Sequence, residues 1–273
     1  MVLEKINEMY SQLFSAEKKV AKYIRQNPEL VTGQSISELA ENSGTSEATV
    51  IRMCKRLGFK GFYQLKISLA RDGGKQQLVG YFGDQDDPET AKSIIQEIAR
   101  NLLNISTKLE MSSLLACAKV IRECESVYVV ATGNTSPVAI DFAFRLGRLG
   151  IRAHSSLIPE YYLGNINLGT NKDVVIGISH SGSSISVIQA LELGKEKGMK
   201  EIAITDDPRS PVSKMVDHTL CATVEKQLFK GFGATTHIYT IAVLDVLLYF
   251  VANLERTTRD VDDLEMLLAE YKL

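Results

Sequence analysis

Four serines, a histidine and a glycine lie together in the segment Ser179-His180-Ser181-Gly182-Ser183-Ser184. A short apolar run, Val174 to Ser179, comes before this segment and an amphipathic stretch, Ser184 to Glu196, follows it, which predicts a loop between a buried strand and a helix. Hydroxyls and main-chain N–H groups at the start of a helix attract anions through their donors and the helix dipole. The segment therefore favours the binding of a phosphate.

Two other interpretations of this loop are weaker. Capping of the next helix would explain one serine, but four serines around a glycine exceed what capping needs. The loop also lacks a lysine and the G-x-x-x-x-G-K pattern, so we do not expect a nucleotide-hydrolysing site. A second loop, Ala131 to Ser136, also separates a predicted strand from a helix, and we expect it beside the first. The candidate phosphate-binding residues are Thr135, Ser136, Ser179, Ser181, Gly182, Ser183 and Ser184.

A second group of residues, in the segment from Ser35 to Lys55, has the pattern of a helix-turn-helix. Ser35 and Glu38 have the spacing of a capping box, which predicts a helix from Ile36. Gly44 suits a tight turn, and Thr45 or Ser46 can cap a second helix that runs to about Leu57. Leu39, Val50 and Met53 are predicted to fill the seam between the two helices. The residues expected to face outward and contact DNA are Ser46, Glu47, Thr49, Arg52, Lys55 and Arg56, followed by Lys60.

Charge is distributed unevenly along the chain, although its formal net charge is only −2. Residues 1 to 75 hold 12 basic and 8 acidic residues, whereas the remainder holds 19 basic and 25 acidic residues. No acid lies between Glu47 and Asp72, while six cations do: Arg52, Lys55, Arg56, Lys60, Lys66 and Arg71. A charge run alone is usually a solvated helix face, but together with the helix-turn-helix pattern this run favours double-stranded DNA as the partner.

The elements that position these residues form two domains. Residues 1–75 are helical in pattern, with four or five short helices, and residues 76–88 are a glycine- and aspartate-rich linker. In residues 89–273, apolar runs alternate with helices. This pattern predicts a doubly wound α/β domain with a five-stranded parallel sheet. A long helix is expected from Phe232 to Leu254.

Composition excludes several classes of protein. The 273 residues are 45% hydrophobic and 23% charged, which is typical of globular domains rather than disordered or fibrous chains. We expect a cytoplasmic protein, since no apolar stretch is long enough to span a membrane and the N-terminus lacks the apolar segment of a signal peptide. The four cysteines are scattered and are expected to be reduced, and the histidines have no metal-ligand spacing. Neither a metal nor a cofactor is expected.

Taken together, these residues resemble the RpiR family of bacterial regulators, in which a helix-turn-helix precedes a sugar isomerase (SIS) domain with a flavodoxin-like sheet. The resemblance covers nearly the whole chain. In the first domain it rests on residues 35–40, 46–52, 55–59 and 61–62, and in the second on residues 138–142, 148–150, 173–182 and 203–205 with Pro211.

The resemblance implies a transcriptional regulator of sugar metabolism that binds a phosphosugar effector. It implies that Ser179, Ser181 and Ser184 hold the phosphate, and Glu225 is a candidate acceptor for a ring hydroxyl. This chain has Ala131 where the family usually has a glycine, and Thr135 where it has a serine. Thr236-His237 stands where a serine-arginine pair is common. The sugar, the operator and the direction of regulation are not specified by the sequence.

Two other functions remain open at this stage. SIS-like domains also occur in phosphosugar isomerases, and Glu225, His180 and His237 are the available bases for such a reaction. The attached DNA-binding domain argues against turnover, so we do not expect an enzyme. A scaffold without a small ligand would leave the serine-rich loop unexplained.

We expect a homodimer or a dimer of dimers, because a single recognition helix contacts too few base pairs to select one genomic site. The run Ile241 to Val251 is apolar on nearly every face and is the candidate interface, with burial inside one subunit as the alternative. Glycines at positions 73, 74, 80 and 83 would let paired DNA-binding domains change their spacing when the sugar binds.

Overall fold

The computed structural model describes residues 2–72, 88–224 and 236–253. The chain divides into two compact units: the first comprises residues 1–100 and 225–236, and the second comprises residues 101–224 and 237–273. Residues 2–72, in the first unit, are helical, and the second unit contains a parallel sheet covered by helices. The two predicted fold classes are confirmed. The predicted linker, residues 76–88, lies outside the described residues except for Pro88, so the domain limits stay a prediction.

Residues 2–72 form six α-helices, so the expected four or five was too few. One of these helices begins at Pro28, just after the helix Ser15–Gln26 ends. Proline has no N–H to donate and its fixed φ suits the first helical position, so Pro28 ends one helix and begins the next. The helices are α1 (Val2–Met9), α2 (Ser15–Gln26), α3 (Pro28–Gly33), α4 (Ile36–Asn42), α5 (Glu47–Arg56) and α6 (Phe62–Asp72).

The junction between α4 and α5 forms as its local sequence predicts. The Ser35 hydroxyl accepts a hydrogen bond from the Glu38 N–H at 3.2 Å, and the Glu38 carboxylate accepts one from the Ser35 N–H at 2.7 Å. Gly44 has a φ of +63°, a left-handed conformation that glycine adopts without a Cβ penalty. Ser46 caps α5 by accepting from the Thr49 N–H at 3.3 Å. The start of α5 is thus fixed by hydrogen bonds that its own segment supplies.

Tertiary packing fixes which side of α5 is buried. Leu39 of α4 and Val50 and Met53 of α5 are fully buried in the core of the helical unit, as predicted. Burial of each such side chain contributes about 1.5–3 kcal/mol to folding. Because α5 packs against α2, α4 and α6, its opposite side is left to solvent.

The second unit is built on five parallel strands in the order β2-β1-β3-β4-β5, which is the flavodoxin-like order. Every residue of β1 and β3 is buried, because helices cover both faces of the sheet. The strands are β1 (Val127–Val130), β2 (Ala153–His154), β3 (Val174–Ile178), β4 (Lys200–Thr205) and β5 (His218–Cys221).

Two layers of helices cover this sheet. On one face α8, α9 and α13 pack together and against β1, β2 and β5, and on the other α10, α11 and α12 pack together and against β1, β3 and β4. Within the described residues, no helix combines the length and the apolar composition that crossing a membrane requires. The helices are α7 (Pro88–Lys108), which contains the division between the units, α8 (Met111–Glu123), α9 (Ser136–Arg148), α10 (Pro159–Leu168), α11 (Ile185–Glu196), α12 (Pro211–Met215) and α13 (Ile238–Asn253).

The last described helix begins later than its apolar pattern suggested. The prediction placed its start at Phe232, but Thr236 and His237 are not helical and α13 begins at Ile238. The ring of His237 makes contacts that are described below. Residues 232–235 and Leu254 lie outside the described residues.

A buried carboxyl group on β4 should make stability depend on pH. Glu201 is 4% exposed and lies beside Asp217, whose carboxylate accepts from the Glu201 N–H at 3.1 Å. Burial, and then the charge of Asp217, raise the pKa of Glu201 from 4.5 to about 7. The folded protein therefore holds a proton that the unfolded chain has released. This contribution to stability is complete below about pH 4.5 and is lost as the pH rises through about 7.

We expect the melting temperature to fall between pH 5 and pH 8, and Glu201→Gln to remove that part of the dependence. Glutamine keeps the shape of the side chain but does not ionise. Thermal melts of both proteins across this pH range provide the measurement. Parallel pH profiles for wild type and variant would contradict the assignment.

Candidate functional site

The serine loop, residues 179–184, connects β3 to α11 at the carboxyl edge of the sheet. Ser179 is buried, and its hydroxyl lies 3.0 Å from that of Ser184. Ser181 is exposed, and its hydroxyl accepts from the Ser183 N–H at 3.3 Å. The loop thus presents several hydroxyls around the first turn of α11, where main-chain donors lack helical partners.

The hydroxyl of Ser184 does not cap α11, which argues against the simpler interpretation of the loop. Ser184 is the N-cap residue of α11, yet its side chain makes no capping hydrogen bond. Ser210, the N-cap of α12, does cap its helix by accepting from the Ser213 N–H. The two helices begin with the same residue type, and only α12 uses its hydroxyl locally. The Ser184 hydroxyl thus pairs with Ser179 and not with the main-chain N–H groups at the start of α11.

Gly182 fixes the shape of the loop. Its φ is +58°, and a Cβ added there would lie 2.1 Å from the side chain of Ser210. The Gly182 carbonyl also accepts from the Val212 N–H at 3.1 Å. The close approach ties the serine loop to the start of α12, and only glycine permits it.

The second loop, residues 131–136, follows β1. Because β1 is next to β3 in the sheet, the two loops follow adjacent strands, as expected. Thr135 and Ser136 are both buried, and Thr135, the N-cap residue of α9, makes no side-chain capping bond. Ala131 is buried as well. Glu225, the predicted ring-hydroxyl acceptor, lies outside the described residues.

A chain of polar contacts that the sequence did not predict begins at His180 in the serine loop. Nδ1 of His180 lies 3.2 Å from both carboxylate oxygens of Asp206, and its Nε2 lies 3.1 Å from Nδ1 of His237. The two imidazole rings are stacked, with centroids 5.3 Å apart. A signal was available for Asp206, because it follows β4 and the ends of adjacent parallel strands share one edge.

The ring of His237 also hydrogen-bonds to the main chain of Asn134, in the 131–136 loop. Burial, and then the charge on His180, lower the pKa of His237 from its ordinary value of 6.5. The contact to Asn134 and the carboxylate of Asp206 oppose that shift. We name His180 and His237 the histidine pair; it connects the serine loop, the 131–136 loop and the start of α13.

The outer face of α5 is the candidate nucleic-acid interface. Its exposed residues include Ser46 and Arg52, with Lys55 one turn later. Ala48 and Ile51 also lie on this face, and Ile51 is 38% exposed. The sequence analysis did not single out these two apolar residues. Lys60, just before α6, is exposed too.

The predicted outward position of Thr49 is wrong. Thr49 is only 4% exposed, because one helical turn places it beside Val50 and Met53 against the core. Its hydroxyl lies 3.0 Å from that of Ser46 and accepts from Arg52 at 3.2 Å, so Thr49 holds the two residues that do face outward.

Two further residues of the predicted interface have structural partners. Glu47 is half-buried, and its carboxylate accepts from the Ser37 hydroxyl at 2.8 Å. Nε of Arg56 lies 3.0 Å from the buried carboxylate of Glu17, and its guanidinium lies 4.4 Å from the ring centroid of Phe14. These contacts connect α5 to α4 and α2.

Lys66, part of the basic run, is not placed to reach a phosphate backbone. Its Nζ donates to the Gln34 carbonyl at 2.8 Å, and burial lowers the pKa of its ammonium group. The side chain of Arg71 lies outside the described residues. The cations that remain exposed around α5 are Arg52, Lys55 and Lys60, with Arg56 in its ion pair.

Comparison with known families assigns both units. Residues 1–76 match the helix-turn-helix domain of the rpiR family, and residues 120–249 match the SIS domain. An HTH-type transcriptional regulator of Caldanaerobacter subterraneus is 33% identical over 258 residues, which cover 92% of this chain and 90% of the relative. The HTH-type transcriptional regulator RpiR of Escherichia coli is 24% identical over 250 residues, covering 87% of this chain and 81% of the relative.

Among solved structures, the NanR protein of Vibrio vulnificus complexed with ManNAc-6P has the same fold. The two structures superpose with a TM-score of 0.80 over 99% of this chain and 97% of the other, at 24% sequence identity.

We expect Arg52→Ala to weaken binding to a selected operator sequence more than binding to random duplex. Lys55→Ala and Lys60→Ala should weaken both about equally and reduce the salt dependence, because we expect these two lysines to contact phosphates rather than base edges. Fluorescence anisotropy over a salt series gives both quantities. Lys119→Ala, which removes an exposed charge from α8, is the matched control. Equal losses on the two duplexes for all three variants would contradict the assignment.

Proposed function

Because this chain belongs to the rpiR family of helix-turn-helix transcriptional regulators, we propose that it controls genes of sugar metabolism in response to a phosphosugar. In this proposal the outer face of α5 enters the major groove of double-stranded operator DNA in the cytoplasm. The serine loop and the 131–136 loop hold the phosphate of the effector. Sugar binding then changes the affinity for the operator.

One observation supports the effector site above the others. The hydroxyl of Ser184 is turned toward Ser179 rather than toward the N–H groups of its own helix, whereas Ser210 caps α12 in the usual way. Hydroxyls and main-chain donors therefore converge where the positive end of the α11 dipole adds to them. A phosphate monoester, with three acceptor oxygens, matches this set of donors.

In the DNA-binding proposal, the residues in and next to α5 have different roles. Ser46 lies at the start of α5 and Arg52 near its middle, and the Thr49 hydroxyl lies 3.0 Å from that of Ser46 and accepts a hydrogen bond from Arg52. Lys55 and Lys60 follow, and supply charge for the phosphate backbone. Ser46 is exposed in the proposed interface, and Glu47 and Arg56 border it through their contacts to α4 and α2. Thr49 is buried beneath the interface and orients Ser46 and Arg52.

Turnover of the sugar is the alternative that one observation favours, since Asp206 and His180 form a carboxylate-histidine contact of the kind that general bases use. In our proposal this contact serves binding, and the bound sugar is released unchanged. Incubation of the protein with each phosphosugar and analysis of the recovered compound distinguishes the two. Formation of a ketose from an aldose phosphate would establish an isomerase.

A thermal-shift panel of hexose 6-phosphates, pentose 5-phosphates and N-acetylhexosamine 6-phosphates, each beside its unphosphorylated sugar, tests the effector directly. A compound that binds only the folded protein raises its melting temperature. We expect a rise with at least one phosphosugar and none with its parent sugar. The absence of a shift throughout the panel would overturn the proposed function.

We expect Ser181→Ala and Ser184→Ala each to weaken phosphosugar binding while leaving DNA affinity without effector unchanged. Loss of one hydrogen bond to a charged group costs about 1.5–3 kcal/mol, which corresponds to a roughly ten- to hundredfold rise in Kd. Isothermal calorimetry measures this change. Ser181→Ala is the cleaner variant, since Ser181 is exposed, whereas Ser184 also contacts buried Ser179. Ser113→Ala on α8 is the control, and wild-type affinity in both loop variants would remove the phosphate from the serine loop.

We also propose that the SIS domain forms a dimer through α9 and α13. The inner side of α13 is buried, which agrees with the alternative of burial inside one subunit, but its outer side is exposed. Phe144 and Tyr249 are 62% and 64% exposed, and Ile140 and Val246 are partly exposed on the same two helices. These helices pack against each other, and Arg145 joins them by an ion pair of 2.6 Å with Asp245.

The double variant Phe144→Lys, Tyr249→Lys should sediment as a monomer at micromolar concentration, while the wild type sediments as a dimer or larger. Burial of two lysine charges at the centre of an apolar dimer interface costs more free energy than the apolar contact contributes to dimerisation. Leu168→Lys, at an exposed leucine on α10, should leave the mass unchanged. A wild-type monomer that still binds operator would defeat the dimer proposal.

A further inference from the structure

The serine loop and the 131–136 loop contain neither lysine nor arginine. Neutral hydroxyls and main-chain N–H groups bind a phosphate dianion, and a positive charge nearby would add electrostatic attraction to these hydrogen bonds. The histidine pair lies at the same edge of the sheet and can carry such a charge. His180 lies between Ser179 and Ser181 in the serine loop, and His237 contacts the main chain of Asn134, next to Thr135.

The protonation of the pair follows from its partners. A carboxylate only accepts, so Nδ1 of His180 carries a proton and donates to Asp206. In the neutral pair, Nε2 of His180 then accepts from Nδ1–H of His237. One further proton, on the remaining nitrogen of His237, makes the pair cationic. The main-chain contact to Asn134 favours that form, while burial opposes it.

We propose that His180 and His237 form the cationic part of the phosphosugar site and take up one proton from solvent as the phosphate dianion binds. This inference rests on the proposed function, since it assigns two further residues to the same site. Without a phosphate, burial and the proximity of the two rings keep His237 neutral near pH 7. The negative charge of a bound phosphate dianion compensates for the hydration that His237 loses on burial, and it therefore stabilises the imidazolium form of this residue. His237 thereby performs the role of a fixed cation only when the effector is present.

Among residues 88–224 and 236–253, the other charged groups near the pair do not supply this positive charge. The described charged groups of the elements around it are mainly acidic, and the nearby cation, Arg209, lies 3.9 Å from Asp207. In the free protein the pair is neutral, so no unpaired imidazolium is left there, and in the complex Asp206 and the phosphate both carry charge opposite to that of the protonated pair. The charged groups are Asp206, Asp207 and Arg209 after β4 and Glu110 at the start of α8, and Cys221 at the end of β5 is a neutral thiol whose pKa is raised to about 11.

Calorimetry in buffers of different ionisation enthalpy measures the proton directly. The probes are the phosphosugar that gives the largest thermal shift and inorganic phosphate. For wild type at pH 7.5 we expect net proton uptake, and affinity that rises by up to about tenfold for each unit of decrease in pH toward 6.5. His154→Gln, which changes an exposed histidine on β2, should retain both properties.

His237→Gln should abolish the proton uptake and flatten the pH profile, with about a tenfold loss of affinity or more at pH 6.5. His237→Arg carries a permanent charge, so it should bind without proton uptake at every pH, which separates loss of charge from loss of folding. Binding by wild type without uptake, or uptake that persists in His237→Gln, overturns the role of the pair. A panel in which no phosphosugar binds overturns the proposed function itself.

Discussion

The parallel pairing of β1, β3 and β4 is the constraint on which the effector site depends. Because the three strands run in the same direction in adjacent positions, their carboxyl ends meet at one edge. The 131–136 loop, the serine loop and Asp206 follow those ends and are brought together although they are up to about 75 residues apart in the sequence. The apolar strands that make this possible are buried on both faces, so the stability of the sheet and the position of the polar loops have the same origin. Gly182 completes the arrangement, since a side chain there would push the serine loop away from Ser210.

Local patterns in the sequence predict the elements well where the responsible residues are neighbours. The capping box of Ser35 and Glu38 and the positive φ of Gly44 each depend on a few adjacent residues, and each appears as predicted. The position of the serine loop between a strand and a helix also depends on neighbouring residues, and it too appears as predicted. The misses arise where partners are distant: Arg56 pairs with Glu17, and His180 with Asp206 and His237. No spacing rule connects such residues before the topology is known. Thr49 was misplaced for a related reason, because its hydroxyl suited a surface while tertiary packing decided which side of α5 was buried.

The two units divide the work that a regulator of this family performs. The first 75 residues carry a net positive charge and the remainder a net negative charge, so attraction to DNA is concentrated at the helix-turn-helix. The second unit has its polar groups at the sheet edge and an apolar outer surface on α9 and α13. Replacement of the common serine-arginine pair by Thr236-His237 changes the chemistry of that edge, because arginine is always charged and histidine is charged conditionally.

The central claim is that the phosphosugar and the operator act on the same equilibrium of one protein. Thermodynamic linkage requires that the factor by which the sugar changes DNA affinity equals the factor by which DNA changes sugar affinity. Both can be measured with wild-type protein, by anisotropy of a labelled operator selected in vitro and by calorimetry of the sugar with and without saturating operator. The account predicts equal factors that differ from one, and their disappearance when the unphosphorylated sugar replaces the phosphosugar. Tight binding of both molecules with factors of one in each direction would contradict it.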